Sequence, residues 1–304
     1  MKARIIKSTG SWYMAQLESK KVVKSRLRGV FKNESLKLTN PIAVGDWVNV
    51  EPEESGEGYI IDQIHTRNNL FVRKSSRKTG HDHIIASNID QAILFATLKS
   101  PRTSLGFIDR FLICAESYRI PAIIVFNKSD LYKDKDLEKF QVYKSYYEEI
   151  GYKCLLTSTV TSEGLEEFKD LIEGKLSLIA GHSGAGKSTI INYYNPDLNL
   201  RTKQISKHSK KGQHTTTHAE MFEIFDNSFV IDSPGIKEVG ITGLEKEELR
   251  HQFPEMREYL NQCRFDNCLH LEEPQCAVME ALEQEKIADW RYLSYITILD
   301  ELKK

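Results

Sequence analysis

The sequence predicts a three-part α/β chain: a small five-stranded β-barrel, then a parallel sheet with helices on both faces, then a mainly helical tail built around a cysteine-rich loop. Three successive textures predict it. Residues 1–67 are short, partly alternating strands between turn residues, and residues 68–236 alternate continuous apolar runs with amphipathic helical stretches. Residues 237–304 place helical stretches on either side of three closely spaced cysteines. These segments are the three expected domains.

Composition sets the outer limits. A chain of 304 residues that is 40% hydrophobic and 28% charged, with 8 prolines, can bury several cores and is neither disordered nor fibrous. The longest apolar run, residues 120–126, is far short of the roughly 18 residues a bilayer span requires, and the opening MKARIIKSTGSWYM has no signal-peptide core. The expected setting is therefore cytoplasmic, with no membrane partner. The net charge of −1 conceals an asymmetry, because residues 1–50 carry ten Lys or Arg against three acids, whereas residues 237–304 carry nine against fifteen. A polyanion would meet the front of the chain first.

In that basic front the strands read ARIIKS, SWYMAQLE, KKVVKSRLRG, GDWVNVEP and EGYIIDQIH. Five strands of this length suggest a small barrel, and a basic five-stranded barrel with Trp12, Tyr13, Phe31 and Trp47 available for stacking suggests an OB-fold that binds nucleic acid. In the second segment the apolar runs QAILFATL, PAIIVFN, YKCLLTS, KLSLIAG and FVIDSPG read as buried parallel strands. Between them, residues 107–118, 137–150 and 165–174 carry apolar side chains at helical spacing. In the tail, helices are expected near 245–252 and over 277–302.

The chemistry begins after LSLIA. Gly181, His182, Ser183, Gly184, Ala185, Gly186, Lys187, Ser188 and Thr189 fit GxxxxGK[ST] between a strand and a helix. The glycines let backbone N–H groups turn inward around phosphates, Lys187 neutralises the β/γ oxygens, and the Ser188 hydroxyl can ligate Mg²⁺. Asn127, Lys128, Ser129 and Asp130 follow PAIIVF, at a strand's carboxyl end, where doubly wound sheets hold nucleotides. This NKxD resembles the guanine-reading motif of GTPases, in which the aspartate accepts two hydrogen bonds from the base edge. Adenine would leave that acceptor unpaired, at a cost of about 1–3 kcal/mol. Thr157 and Ser158, after KCLL, stand where the last base contact is expected.

Asp232, Ser233, Pro234 and Gly235 follow FVI and resemble the DxxG motif, with Asp232 supporting Mg²⁺ and Gly235 following the γ-phosphate. The next residue is Ile236, where many GTPases carry the glutamine that orients water. Catalysis then needs another polar group, and GQHTTTH at 212–218 supplies candidates. His214 is the first choice, with Gln213 and His218 as alternatives, beside Thr215 and Thr216, which are expected to meet the γ-phosphate and, at Thr216, Mg²⁺. The preceding stretch RTKQISKHSKK holds five Lys or Arg and no acid, as suits a switch loop that could also touch RNA.

Cysteines complete the inventory. Cys263, Cys268, His270 and Cys276 fall within fourteen residues as a Cys₃His set able to close a tetrahedral structural Zn²⁺ site. Cys114 and Cys154 sit in apolar contexts and are read as core.

Motif order is informative. GTPases ordinarily run from the phosphate loop through DxxG to NKxD, whereas here NKxD and TST precede the phosphate loop, so the domain is circularly permuted and DxxG runs directly into the tail. A basic barrel, a permuted P-loop GTPase domain and a cysteine-rich tail together resemble the RsgA (YjeQ/YloQ) family. The resemblance implies an OB-fold RNA- and ribosome-binding domain over 1–67, the GTPase domain over 68–236 and a zinc-binding domain over 237–304. It also implies a GTPase that binds the small ribosomal subunit and its rRNA late in maturation, hydrolyses GTP to GDP with stimulation by the subunit, and leaves on hydrolysis. The alternative is a nucleotide-gated ribosomal RNA-binding factor in which turnover is incidental. No extended apolar heptad seam is visible, so a monomer is expected.

Overall fold

The computed structural model describes residues 1–9, 12–28, 41–53, 56, 58–73, 83–200, 219–232 and 243–302. Strands β1 (Lys2–Ser8), β2 (Tyr13–Leu17), β3 (Val22–Leu27), β4 (Trp47–Pro52) and β5 (Tyr59–Ile64) close on themselves in the order β1-β2-β3-β5-β4-β1. All pairs are antiparallel except β3 with β5. The alternation seen in the sequence sends Ala3, Ile5, Ala15, Val23, Val48, Val50 and Ile61 inward. Closure removes the sheet edges that a five-stranded open sheet would expose.

A short hairpin, β6 (Leu70–Arg73) with β7 (His83–Ser87), follows the barrel. The buried Asp46 carboxylate links the two. It accepts both arms of Arg67 at 2.7 Å, the Ser87 hydroxyl at 2.6 Å and the Ala43 amide at 2.8 Å. Gly45 makes this approach possible, since a Cβ there would lie 2.1 Å from the Ser87 carbonyl oxygen.

The central sheet runs β10-β9-β8-β11-β13-β12. Its strands are β8 (Gln91–Ala96), β9 (Ala122–Asn127), β10 (Lys153–Thr157), β11 (Leu176–Gly181), β12 (Glu220–Phe225) and β13 (Ser228–Asp232). All neighbours are parallel except the β12–β13 hairpin. Helices α1 (Leu105–Ser117) and α2 (Asp134–Glu149) cover one face, where Leu94, Ile124, Phe126, Leu178 and Ile231 point. Helices α3 (Leu165–Ile172) and α4 (Lys187–Tyr194) cover the other, against Ile93, Phe95, Val125, Ile179 and Val230. Burial on both faces explains why these strands read as continuous apolar runs. Each such Val, Leu, Ile or Phe contributes about 1.5–3 kcal/mol of transfer free energy.

The barrel meets this sheet through β1 and β12, where Lys7 pairs with Glu220. Ion pairs Lys7–Glu220 at 2.9 Å and Lys20–Glu223 at 3.1 Å flank the junction. No strand is expected from the sequence at β12, whose EMFEIF lacks strict apolar–polar alternation, although the Asp226-Asn227 turn, with Asn227 at φ +55°, is a hairpin signal.

The tail contains α5 (Pro254–Arg257), α6 (Ala277–Glu283) and α7 (Asp289–Leu302) around Phe253, Met256, Val278, Tyr295, Ile298 and Leu299. The expected helix near 245–252 is only a 3₁₀ turn at Leu249–Gln252, and the single helix expected over 277–302 is two. The break falls at Glu285, at φ +58°, and turns the chain so that Ile287 enters the tail core.

Tail and central sheet share a buried charge cluster. Arg291 of α7, with no exposed surface, donates to Asp109 of α1 at 2.8 Å and to both oxygens of Glu255 at 2.5 and 3.2 Å. Tyr147 and Ser294 hydroxyls complete the Asp109 carboxylate at 2.7 and 2.6 Å. Burial opposes the charge on Arg291, but Asp109 and Glu255 outweigh it and hold the guanidinium pKa well above its ordinary value. Removing one partner from such a cluster costs about 3–5 kcal/mol. Among the described residues no helix is long and apolar enough to cross a membrane.

Candidate nucleotide site and metal centre

The sheet's topology switches between β8 and β11, the crevice where open α/β sheets hold ligands. Asn127 ends β9, Thr157 ends β10, Gly181 ends β11 and Asp232 ends β13, so four motifs scattered over a hundred residues meet at one edge. Register confirms it: Thr157 pairs with Asn127, and Ile179 with Asp232.

The phosphate loop requires its glycines. Gly181 adopts φ +139° and a Cβ there would lie 2.4 Å from the Phe95 carbonyl oxygen; Gly186 adopts φ +98° and a Cβ would lie 2.1 Å from Asn127 Nδ2. The loop ends in α4, whose first N–H groups and dipole favour an anion. Lys187 Nζ donates to the carbonyl oxygens of Gly181 at 2.7 Å and His182 at 3.3 Å. Burial lowers the Lys187 pKa, against the pull of Asp232, and burial raises that of Asp232, against the pull of Lys187. Asp232 Oδ1 is buried and has no hydrogen-bond partner among the described residues. A desolvated carboxylate oxygen without a donor at the end of β13, and a half-buried Ser188 hydroxyl on the first turn of α4, are hard oxygen donors of the kind that suits Mg²⁺.

The residues of the expected base-reading motif are bolted to that loop. Asn127 Nδ2 donates to the Ala185 carbonyl oxygen at 2.9 Å, while its Oδ1 accepts from Thr157 Oγ1 at 3.0 Å. Lys128, in the left-handed region at φ +66°, donates through Nζ to the Ser100 carbonyl oxygen at 2.9 Å. Asp130 stays exposed, with Oδ1 accepting from Ser158 Oγ at 2.6 Å. Ser158 Oγ also accepts from the Val160 and Thr161 amides at 3.1 and 3.3 Å, which sets its rotamer. A carboxylate presented at the surface in a fixed direction is what recognition of a guanine edge requires. Replacing Asp130 by Asn is therefore expected to reduce the preference for GTP over ATP by at least about tenfold, the equivalent of about 1.4 kcal/mol, measured by competition against a fluorescent guanine nucleotide. An unchanged preference would remove Asp130 from the base site.

Sequence reading missed the supports of this constellation. Glu163 accepts from Ser129 Oγ through its side chain and from the Ser158 amide through its backbone, clamping together the two segments expected to read the base. Tyr132 donates to the Asn127 carbonyl oxygen at 2.8 Å and accepts from the Leu98 amide at 2.9 Å. Neither residue stands in a motif, and only the folded chain brings them to the site.

In the tail, Cys263, Cys268, His270 and Cys276 converge with their ligand atoms within 4.8 Å of one another. His270 Nδ1 lies 3.3 Å from Cys276 Sγ and 3.6 Å from Cys263 Sγ. Burial pushes the Cys268 thiol up to about 12, the neighbouring sulfurs opposing its ionisation too, and burial pulls His270 down to about 4. Three clustered thiols and a neutral imidazole, shielded from water, are a donor set that a dication would turn to thiolates, and tetrahedral Zn²⁺ fits it. Cys114 and Cys154 are buried, with burial pushing both thiols up to about 12, in agreement with a core role.

Residues 201–218 and 233–242 lie outside the described residues. With them lie Gln213, His214, Thr215, Thr216, Thr217, His218, Ser233, Pro234, Gly235 and Ile236, and the basic stretch before them. On the barrel, Tyr13 is core rather than a stacking surface, because its place in β2 turns it inward. Trp12 is 36% exposed with Lys24 Nζ 4.1 Å above its ring, and Trp47 carries Lys2 Nζ at 4.7 Å and Arg4 at 5.1 Å. Phe31 lies outside the described residues.

Comparison with known proteins agrees with this geometry. A family model for the RsgA N-terminal domain matches residues 2–60, and one for the RsgA GTPase matches residues 64–242. A Cytophaga hutchinsonii protein named small ribosomal subunit biogenesis GTPase RsgA is 52% identical over 303 residues, covering 99% of this chain and 98% of the relative. A Flavobacterium johnsoniae protein of the same name is 46% identical, covering 99% and 93%. Among solved structures, YjeQ from Thermotoga maritima superposes with a TM-score of 0.80 at 34% identity, covering 99% of this chain and 98% of that one. YloQ, described as a circularly permuted GTPase, gives 0.74 at 31% identity, covering 99% and 94%.

Proposed function

Because the chain belongs to the RsgA GTPase family, we propose that it hydrolyses GTP to GDP and phosphate on the small ribosomal subunit late in maturation, with hydrolysis stimulated by the subunit and coupled to release. The observation that carries this reading is the link between the exposed, Ser158-held Asp130 and the phosphate loop, made through Asn127 and Ala185. It joins guanine recognition to phosphate binding in one rigid frame.

In this reading Asp130 accepts from the guanine edge and Lys128 lies along the base. The 181–189 loop wraps the phosphates with backbone N–H groups, and Lys187 moves from the Gly181 and His182 carbonyls to the β/γ oxygens. Ser188, Thr216 and Asp232 would hold Mg²⁺, which when bound neutralises charge on the transferring phosphoryl group. His214 positions the attacking water, in place of the glutamine absent at Ile236, and Thr215 and Gly235 follow the γ-phosphate. Cys263, Cys268, His270 and Cys276 would hold a structural Zn²⁺ that fixes the tail loop. Residues 1–67 act as the ribosome-binding barrel, where Lys2, Lys24 and Trp12 offer charge and aromatic surface to rRNA, residues 68–236 as the GTPase and residues 237–304 as the zinc-binding tail.

Phosphate release from GTP and from ATP, each with and without purified small ribosomal subunits, tests the reading on one zinc-replete sample. Turnover of GTP alone, rising strongly with subunits, is expected. Equal turnover of ATP would overturn the base assignment, and GTP turnover indifferent to subunits would overturn the ribosomal activation.

A further inference from the structure

We propose that Phe107 is a positioning residue for the phosphate loop and that helix α1 joins this loop mechanically to the zinc-binding tail, an inference that rests on the GTPase reading. The Phe107 ring stacks on the His182 imidazole with centroids 4.1 Å apart and planes 28° from parallel. His182 is the second residue of the phosphate loop. Its carbonyl oxygen accepts from Lys187 Nζ at 3.3 Å and from the Ala185 amide at 3.1 Å. When Lys187 turns toward phosphate it leaves that carbonyl, so the state of the nucleotide changes the forces on the residue Phe107 grips.

The same turn of α1 grips the tail. Phe107 and Asp109 are two residues apart, about 200° around the helix, and so face opposite ways. Phe107 faces the loop while Asp109 accepts from Arg291 and Ser294 of α7, and Arg110 forms an ion pair with Glu301 at 2.5 Å. Arg257 of α5 pairs with Glu116 near the far end of α1. The turn is anchored at its start by Ser104, whose hydroxyl accepts from the Phe107 amide at 3.3 Å, four residues beyond the Ser100 carbonyl that holds Lys128. A packed helix held on both sides by close-fitting groups transmits a displacement rather than absorbing it. This route is separate from the covalent one expected from the motif order, in which DxxG leads into the tail along residues 233–242.

The test is backbone amide exchange in α7 of the full, zinc-replete chain, compared between GDP and a non-hydrolysable GTP analogue. The parent and the variants Phe107→Leu and Phe107→Tyr are measured, with nucleotide affinity followed in parallel. Phe107→Leu keeps an apolar side chain in a half-buried position but removes the stack, whereas Phe107→Tyr keeps the stack. In the parent, exchange in α7 is expected to differ between the two nucleotide states by about 2- to 30-fold, the range for residues that carry coupling without touching ligand. Phe107→Leu should abolish the difference and Phe107→Tyr restore it, a rescue that mere loss of packing would not produce. A parental difference that survives in Phe107→Leu would overturn the proposal and leave the 233–242 connection as the route. A parent that binds both nucleotides with identical α7 exchange would overturn it as well. A parent that binds no guanine nucleotide would overturn the GTPase reading itself, and the inference with it.

Discussion

Lys187→Ala is expected to lower GTP turnover by at least about 10²–10³-fold, the usual effect of deleting one preorganised charge stabiliser from a water-poor site. The expectation is larger than for a surface lysine because of where this one sits. Its ammonium is largely desolvated, which is why burial lowers its pKa, and a charge removed from water acts on neighbouring phosphates at low effective dielectric. Its present partners, the carbonyl oxygens of Gly181 and His182, are neutral acceptors that a phosphate oxygen can replace. The substitution also strips Asp232 of the cation that opposes its raised pKa. Single-turnover phosphate release with saturating GTP measures the chemical step. The fold should survive, because Ile190 and Ile191 rather than Lys187 bury α4 against the sheet. A Lys187→Ala protein with undiminished turnover would move the catalytic site elsewhere.

Stripping the tail of metal should produce the second large effect. Zinc bound by small structural sites contributes about 10–16 kcal/mol of apparent binding free energy in isolated peptides. Much of that free energy is folding free energy here, since Cys268, His270 and Cys276 are buried among the tail's apolar residues. Chelation, or Cys268→Ser, is expected to collapse the amide protection of residues 263–276 and to lower the thermal midpoint of the tail. The central sheet should keep its guanine-nucleotide affinity, because among the described residues its site draws none from the tail. Helix α7 should stay docked longest, since the Arg291 cluster and Ile113 of α1 hold it independently of the metal. One zinc per chain in the purified protein, lost together with the 263–276 protection, is the expected measurement. A metal-free protein with unchanged exchange would show that the four residues are only a buried polar cluster.

Much of this protein was legible before folding was considered. The nucleotide motifs are local strings because phosphates are met by consecutive backbone groups and the base by side chains of one short turn, and the Cys₃His set is compact because a structural metal site can draw its ligands from one loop. The apolar runs marked the parallel strands, since burial on both faces leaves no polar alternation. What sequence reading lost had weaker local signals: β12 was overshadowed by the motif that precedes it, and the break at Glu285 depends on Ile287 finding the tail core.

The sequence by itself determined the class of chemistry, the permuted order of the motifs and the presence of a metal-type ligand set, because each motif is written in residues close together in the chain and their order is read directly along it. Only the tertiary structure decided how those motifs are held. Asn127 and Ala185 are 58 residues apart, Ser129 and Glu163 34, and Asp109 and Arg291 182, and no pattern in the chain announces that these pairs meet. Their meeting is set by strand order and by which helix face is buried, and those are properties of packing, which acts through space.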